Sequence, residues 1–294
     1  MLLINPHSAG GRTLKLMPEV ERQLGRQGLA YRVVETQSLE HGVAEATRAA
    51  KSGEVPVVMS GDGLVGQIGG ALAETGSQMG IIPGGRGNDL ARVLGIPSDP
   101  AGSVAVLAEG RTRDIDVGVA NDRRFLCIAS CGFDSDANRI ANQTRLIGGN
   151  LVYAYAAFRA LAAWKPARFK ITLDGGSPLE FAGYSVAVGN SRAFGGGMFI
   201  APHAELDDGL LDVITIADVG KLRYLRGIPS VFKGTHIEKE EVREARAATV
   251  EISADREFAV YADGERLTDL PATLSTLPGA LRVIAPPKAK TIPT

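Results

Sequence analysis

The sequence predicts an α/β domain built on a doubly wound parallel sheet, followed by a mostly antiparallel β domain. Three observations predict it. Short apolar runs alternate with helical patterns over the first part of the chain. After about Asp116 several apolar runs follow one another with little but turn signals between them. Glycine-rich turns follow three of the first strands. Strands separated by helices form parallel βαβ units, whereas strands joined by turns pair antiparallel.

In the first part, Leu2–Asn5, Tyr31–Thr36, Val55–Ser60 and Met79–Pro83 read as strands. Helical patterns lie at Thr13–Gln27, Leu39–Lys51, Leu64–Glu74 and Asn88–Leu94, with another over Ala101–Glu109. Such a sheet binds ligands beyond the carboxyl ends of its strands. In the second part, Phe125–Cys131, Phe169–Leu173, Tyr184–Asn190, Leu211–Ile216, Thr249–Ser253, Phe258–Ala262 and Ala280–Ile284 read as strands. Helical patterns interrupt them at Leu146–Ala163 and Lys221–Phe232. The change of rhythm divides the chain into domains 1–118 and 119–279, and the tail from Pro286 reads as loosely ordered.

Composition narrows the function. The 294 residues carry 32 Lys and Arg against 33 Asp and Glu, a balance unsuited to a nucleic-acid partner. Cys127 and Cys131, at i and i+4 in one apolar run, are expected as buried free thiols on one strand face, and neither has a zinc-ligand neighbour in sequence. The N-terminus lacks the charged and apolar regions of a signal peptide. No segment has the ~18–20 apolar residues of a membrane span, so a cytoplasmic protein with peripheral membrane contact is expected.

The glycine turns carry the chemistry. Asn5-Pro-His-Ser-Ala-Gly-Gly, Ser60-Gly-Asp-Gly and Gly84-Gly-Arg-Gly-Asn-Asp each end a strand. Glycine lets backbone amides approach an anion, and the next helix start adds its dipole. Three such turns on one sheet edge point to a nucleotide. Gly61-Asp-Gly-Leu-Val-Gly66 also matches the dinucleotide fingerprint G-x-G-x-x-G, but the next strand ends Ile82-Pro83-Gly84, without the acidic residue that would hold a ribose. A carboxylate within the loop, Asp62, would repel a bare pyrophosphate, but it suits phosphates bridged by Mg²⁺. The plainer readings are that Asp62 makes an Asx-turn or helix cap and that Asn88 caps the helix after it.

With these turns the chain resembles the diacylglycerol kinase and sphingosine kinase family, most of all its bacterial lipid kinases. The resemblance runs through Asn5-Pro6-x-Ser8, Gly61-Asp-Gly63, Pro83-Gly-Gly-Arg-Gly-Asn-Asp-Leu-Ala-Arg92, Gly132-Phe-Asp134, Gly189-Asn190, Gly195-Gly-Gly-Met198, Ala201-Pro202, Leu206-Asp-Asp-Gly-Leu-Leu-Asp212 and Asp263-Gly-Glu265. It implies ATP-dependent phosphorylation of a lipid hydroxyl, most simply diacylglycerol to phosphatidic acid, in a cleft between two domains, with residues 280–290 returning to the first. It places ATP and Mg²⁺ on Gly61, Asp62, Gly63, Gly87, Asn88 and Asp89, with Asn5 and Ser8 nearby. It makes Asp263 the general base, with Glu265 its neighbour. It assigns a structural Mg²⁺ to Asp208 and the carbonyls of Glu205 and Leu210. The chemistry asks for such a base independently, since a lipid hydroxyl is a poor nucleophile. An Asp-Gly hairpin turn is the plainer reading of Asp263, and Asp207-Asp208-Gly209 is equally a good turn.

Where the family reads Gly-Gly-Asp-Gly-Thr and then Glu, this chain has Ser60, Leu64 and Gln67; Arg86 replaces a small hydroxyl residue. Arg86 is expected to contact phosphate in place of the lost hydroxyls, against the simpler view of a solvated loop Arg. These departures keep open a catalytically weakened lipid- or nucleotide-binding module, and the nucleotide loops alone also allow a soluble-substrate kinase of the NAD kinase type. Lys221, Arg223, Arg226 and Lys233 lie among Leu222, Tyr224, Leu225 and Phe232, a pattern that fits either an interfacial surface or a helix packed on the second domain. The expected partner is a lipid substrate at a membrane surface, and oligomeric state, a homodimer included, is left open.

Overall fold

The computed structural model describes residues 1–133, 135–137, 140 and 159–288. Strands β1 (Leu2–Ile4), β2 (Val33–Glu35), β3 (Val57–Ser60) and β4 (Gln78–Pro83) pair in parallel in the order β2-β1-β3-β4. Alternation along a strand assigns each residue to a face. Leu3, Val58 and Ile81 join the core beneath α2 (Leu39–Lys51) and α3 (Asp62–Leu72). Leu2, Ile4, Met59 and Ile82 pack on the other side against α1 (Arg12–Arg26) and α5 (Pro100–Glu109). Helices thus cover both faces, as the doubly wound reading requires. The turns after β1, β3 and β4 open at one edge, the last leading into α4 (Asp89–Leu94).

The second unit is antiparallel. It comprises β5 (Thr112–Ala120), β6 (Arg123–Phe125), β7 (Ile128–Gly132), β8 (Ala167–Leu173), β9 (Leu179–Gly189), β10 (Leu211–Ala217), β11 (Val242–Ala247), β12 (Thr249–Ala254), β13 (Ala259–Ala262), β14 (Glu265–Asp269) and β15 (Ala272–Ile284). The main path runs β14-β13-β7-β9-β8-β12-β15, and β10 and β11 extend from β9. Phe169, Tyr184, Val186, Val250, Phe258 and Leu274 fill its core. Helix α6 (Lys221–Val231) lies between β10 and β11.

Strand β15 belongs to both units. Its first half pairs antiparallel with β12 and β5; past a register shift between Leu277 and Leu281, Arg282 and Val283 pair in parallel with β4. Leu281 and Val283 are buried in the first core. The β5–β15 ribbon therefore spans the division between the units and sets how they face each other.

Three strands, β5, β11 and β14, escape the sequence reading. β11 and β14 are edge strands, each paired on one side only, and their exposed faces carry charge (Arg243, Glu244; Arg266, Asp269). Charged edges resist aggregation but erase the apolar signal. β5 likewise starts on the polar run Thr112-Arg-Asp. The strand expected over Phe125–Cys131 is broken, because β6 ends at Phe125 and β7 begins at Ile128. That break corrects the cysteine reading. Both thiols are free and buried, but Cys127 joins the first core and Cys131 the second. The helix expected at Leu146–Ala163 falls outside the described residues as far as 158, as do Asp134 and the tail from 289.

Candidate active site

The first three turns are assembled backbone against backbone. Asn5 shapes the turn after β1: its carbonyl accepts from the Thr13 hydroxyl at 2.5 Å and its side-chain oxygen from the His7 amide at 3.0 Å. Ser8 Oγ donates to the Gly84 carbonyl at 3.4 Å, joining this turn to the one after β4. The turns after β3 and β4 meet so closely that a Cβ on Gly85 would lie 2.4 Å from Gly61 Cα, so only glycine fits there.

Each of three aspartates then holds a loop other than its own. Asp62, the first residue of α3, accepts the amides of Asn88 (2.8 Å) and Asp89 (2.6 Å). These amides belong to the first turn of α4, so Asp62 does cap a helix, but a neighbouring one. The cap expected of Asn88 is not made. Asn88 sits at φ 52° and turns its side chain onto Gly85, accepting from its N–H at 2.8 Å and donating to its carbonyl at 3.1 Å. Asp89 reaches into the second unit, where its carboxylate accepts the amides of Gly196 and Gly197, both at 2.9 Å.

Asp263 occupies the two-residue turn between β13 and β14. Asp263 (φ 51°) and Gly264 (φ 88°) are both left-handed, as a type I′ hairpin demands. The plainer reading of Asp263 therefore describes its backbone correctly, and its side chain does more. Its carboxylate is buried and accepts the amides of Leu126 (2.7 Å) and Cys127 (3.0 Å), the two residues that leave the ladder at the β6–β7 break.

The turn lies against α3. A Cβ on Gly66 would sit 2.9 Å from an Asp263 carboxylate oxygen, and one on Gly69 would sit 2.5 Å from Leu126. This accounts for the G-x-G-x-x-G match: spacing of three aligns small residues along one helix face, here to admit the second unit. If Asp263 acts on the acceptor as the family resemblance implies, Gly66→Ala should lower turnover about tenfold or more by displacing its carboxylate. Thermal denaturation should reveal only a modest loss, checked beside the activity assay.

Ser8, Gly61, Asp62, Gly63, Arg86, Gly87, Asp89 and Asp263 line one cavity of about 940 Å³. The second unit adds Cys127, Gly196, Phe194 and Met198, and Phe232 closes the wall. Asn5 and Asn88 stand behind the lining as braces. Glu265 is outside it, with a carboxylate oxygen 3.6 Å from where a Gly63 Cβ would be. The apolar wall of Phe194, Met198 and Phe232 was not singled out as a site in the sequence. The signal available was that Phe194 and Met198 flank the Gly195-Gly-Gly turn.

Three carboxylates, Asp62, Asp89 and Asp263, line the cavity, with Arg86 on its rim and Arg92 Nε 3.9 Å from Asp89. Burial raises the Asp62 carboxyl above its usual range, and the charge of Asp89 raises it further. Burial also lifts Asp263 to about 6, against the amides of Leu126 and Cys127, which pull it down. The Cys127 thiol is pushed well up, first by burial and then by Asp263, so it stays protonated at neutral pH. The Asp62 and Asp89 carboxylates converge on Gly87, whose Cβ would lie 2.6 and 3.1 Å from their oxygens. Two hard oxygen donors with lone pairs to spare, facing a cavity, fit a divalent cation.

At the 205–210 turn the acidic side chains have protein partners. Arg246 pairs with Asp208, and Arg192 and Lys288 pair with Glu205 at 2.6 and 2.9 Å. Leu210 presents its N–H, not its carbonyl, to Asp208 at 3.0 Å. Among the described residues no three His, Cys, Asp or Glu side chains gather as a metal cluster. The turn is held instead by Asp116, which accepts the amides of Gly209 and Gly279, both at 2.7 Å.

Against known families, residues 1–120 match the diacylglycerol kinase catalytic domain, and residues 127–285 match the YegS C-terminal NAD kinase beta sandwich-like domain. A Mycobacterium tuberculosis protein named diacylglycerol kinase is 34% identical over 291 residues, covering 97% of this chain and 94% of that protein. The chain belongs to the diacylglycerol kinase family. The Pseudomonas aeruginosa protein named "Probable lipid kinase YegS-like" is 32% identical over 296 residues, covering 97% of this chain and 94% of its own. A diacylglycerol kinase structure from Bacillus anthracis superposes with TM-score 0.74 at 23% identity, over 97% of this chain and 96% of that one. An NAD kinase from Archaeoglobus fulgidus shares the fold more distantly, with TM-score 0.53 at 13% identity over 96% and 92% of the two chains.

Three of the residues at which this lipid kinase departs from the family pattern, Leu64, Ser60 and Arg86, differ in how they sit relative to the cavity. Leu64 faces away from the cavity into the first core, where a Cβ on Gly42 would meet it at 2.8 Å, so its missing hydroxyl takes nothing from the cavity lining. Ser60 is buried, with its hydroxyl unpartnered among the described residues. Arg86 is exposed at the cavity rim and makes no side-chain hydrogen bond or ion pair among the described residues.

Proposed function

We propose that the cavity carries out ATP-dependent phosphorylation of a lipid hydroxyl, with diacylglycerol as acceptor and phosphatidic acid as product. The observation that carries this reading is the position of Asp263: a buried carboxylate, lifted to about 6, projects from the second unit into the same cavity as the glycine turns and the Asp62–Asp89 pair. The Archaeoglobus fulgidus NAD kinase, of the same fold, was solved in complex with ATP, which supports the nucleotide assignment. The lipid acceptor is supported by the names of the relatives and by the apolar wall of Phe194, Met198 and Phe232.

In this reading the amides of the glycine turns and Arg86 bind the phosphates. Asp62 and Asp89 hold Mg²⁺, which when bound neutralises charge on the phosphate oxygens. Asp263 accepts the proton of the acceptor hydroxyl as its oxygen bonds to the γ-phosphorus and the bond to ADP breaks. A base near 6 is ionised at neutral pH yet still basic enough to take that proton. Glu265 supports the same turn from outside the cavity.

The test is ATP consumption with diacylglycerol in mixed micelles, beside phosphatidylglycerol, a sphingoid base and NAD as rival acceptors, with the product identified by mass. Phosphatidic acid is expected; phosphorylated NAD, or no phosphorylated lipid from any acceptor, would overturn the assignment. Arg86→Ala is expected to raise the KM for ATP roughly tenfold or more, the worth of one charge-assisted hydrogen bond. Arg48→Ala, on the exposed end of α2, should leave it unchanged.

A further inference from the structure

Helix α6 exposes an apolar stripe with no partner among the described residues. Leu222 is 60% exposed, Leu225 40%, Ile228 37% and Phe232 51%, half of the exposed large hydrophobics among the described residues. At about 100° per residue these four fall within an arc of about 120°. The opposite side is the packed one: Tyr224 stacks on Tyr184 with ring centroids 4.0 Å apart, and Arg223 pairs with Glu241 at 2.7 Å. Both sequence readings of this helix are thus satisfied, on different faces. A contiguous exposed apolar stripe is costly in water unless something covers it.

Two features indicate what covers it. Arg226 and Lys233 flank one edge of the stripe, and neither has an ion pair or side-chain hydrogen bond among the described residues. The other basic residues here are engaged, Arg223 with Glu241 and Lys221 with the Ala162 carbonyl. Free cations beside exposed leucines match an anionic lipid surface. The stripe is also continuous with the cavity, for Phe232 belongs to both. The end of α6 is tied to the same wall, since the Phe199 amide donates to the Val231 carbonyl at 3.0 Å.

We propose that the Leu222–Leu225–Ile228–Phe232 face of α6 inserts into the headgroup region of an anionic bilayer, with Arg226 and Lys233 against the lipid phosphates, so that a lipid hydroxyl enters the cavity along Phe232. The choice of partner rests on the lipid kinase reading above; the readout of its test does not.

That test is co-sedimentation with vesicles of phosphatidylcholine, with and without phosphatidylglycerol. The wild-type chain should partition onto phosphatidylglycerol vesicles, and salt should weaken it. Leu222→Glu with Leu225→Glu should reduce partition by roughly tenfold or more, since interfacial binding scales with buried apolar area and charge. Arg226→Glu with Lys233→Glu should abolish only the preference for phosphatidylglycerol. Turnover of a short-chain diacylglycerol, dissolved as monomer, should persist in both variants, because none of these residues lines the cavity. Should the glutamate pair impair folding, Leu222→Ser with Leu225→Ser gives the same reading. Unchanged partition in the folded leucine variants, or no partition by the wild type, overturns the docking face. So does a dimer in sedimentation that those variants dissociate without touching vesicle binding. Absent turnover of the short-chain lipid by the wild type would overturn the kinase reading instead.

Discussion

Replacing Asp263 by Asn is expected to lower kcat by about 10²–10⁴-fold, the range for loss of a positioned general base, with little change in the KM for ATP. Steady-state kinetics with diacylglycerol at saturating ATP reads it, and turnover at the wild-type rate would remove Asp263 as the base. The wild-type rate should fall as pH drops through about 6, where Asp263 takes up its proton. Asp263→Asn should lack that inflection.

Stability moves the other way. A carboxyl whose folded pKa is raised holds a proton that the unfolded chain has released, so native stability is lost as pH rises from the unfolded value to about 6. A rise from 3.8 to about 6 corresponds to about 3 kcal/mol once Asp263 is ionised. The Asn variant escapes this cost, but one of the amides of Leu126 and Cys127 must then face an NH₂ group, at about 1–3 kcal/mol. The two proteins should therefore be of similar stability at pH 7, while the variant is clearly the weaker at pH 4. Urea denaturation at both pH values checks this. A base at Asp263 would thus be kept at some expense of stability, as functional groups commonly are.

Asp89→Ala is expected to have the other large effect. Its carboxylate both faces the cavity beside Asp62 and accepts the amides of Gly196 and Gly197 from the second unit. Removing it should cost about 1–3 kcal/mol of stability for the two charge-assisted hydrogen bonds, discounted because the glycine loop is partly solvated. Loss of half of the carboxylate pair should lower kcat/KM by about 10²-fold or more. Calorimetric titration with ATP should show that Mg²⁺ no longer improves binding, and Asp89→Asn, which keeps one acceptor while its NH₂ faces the other amide, should recover only part of the stability and none of the Mg²⁺ effect. An undiminished Mg²⁺ effect in Asp89→Ala would show that the two carboxylates do not act on one ion.

Much of this was legible in the chain itself. Helix α2 has the bounds of its helical pattern, Leu39–Lys51, and in the structure Ser38 caps it by accepting the His41 amide. The glycine turns were legible because tight turns after parallel strands leave few other residues possible. The β-rich unit was less so. Its edge strands β11 and β14 trade apolar periodicity for exposed charge, and the break at Leu126–Cys127 carries no local signal, because its cause is Asp263, 137 positions away. At the Asp208 turn the family resemblance implies a metal held by one carboxylate and two backbone carbonyls, and the sequence gives no sign of the cations that pair with its acidic side chains. Arg246 and Lys288, which answer those charges, come from β11 and from beyond β15.

The sequence by itself determined the two-part architecture and the three phosphate-type turns, since both follow from periodicity and from backbone conformations that only certain residues adopt. Which carboxylate holds which loop was decided only in three dimensions. Asp89 meets Gly196 across 107 positions, and the glycines of α3 receive a turn from the far end of the chain. Contacts between such distant segments depend on how the β5–β15 ribbon docks the two cores, and no local pattern encodes that docking.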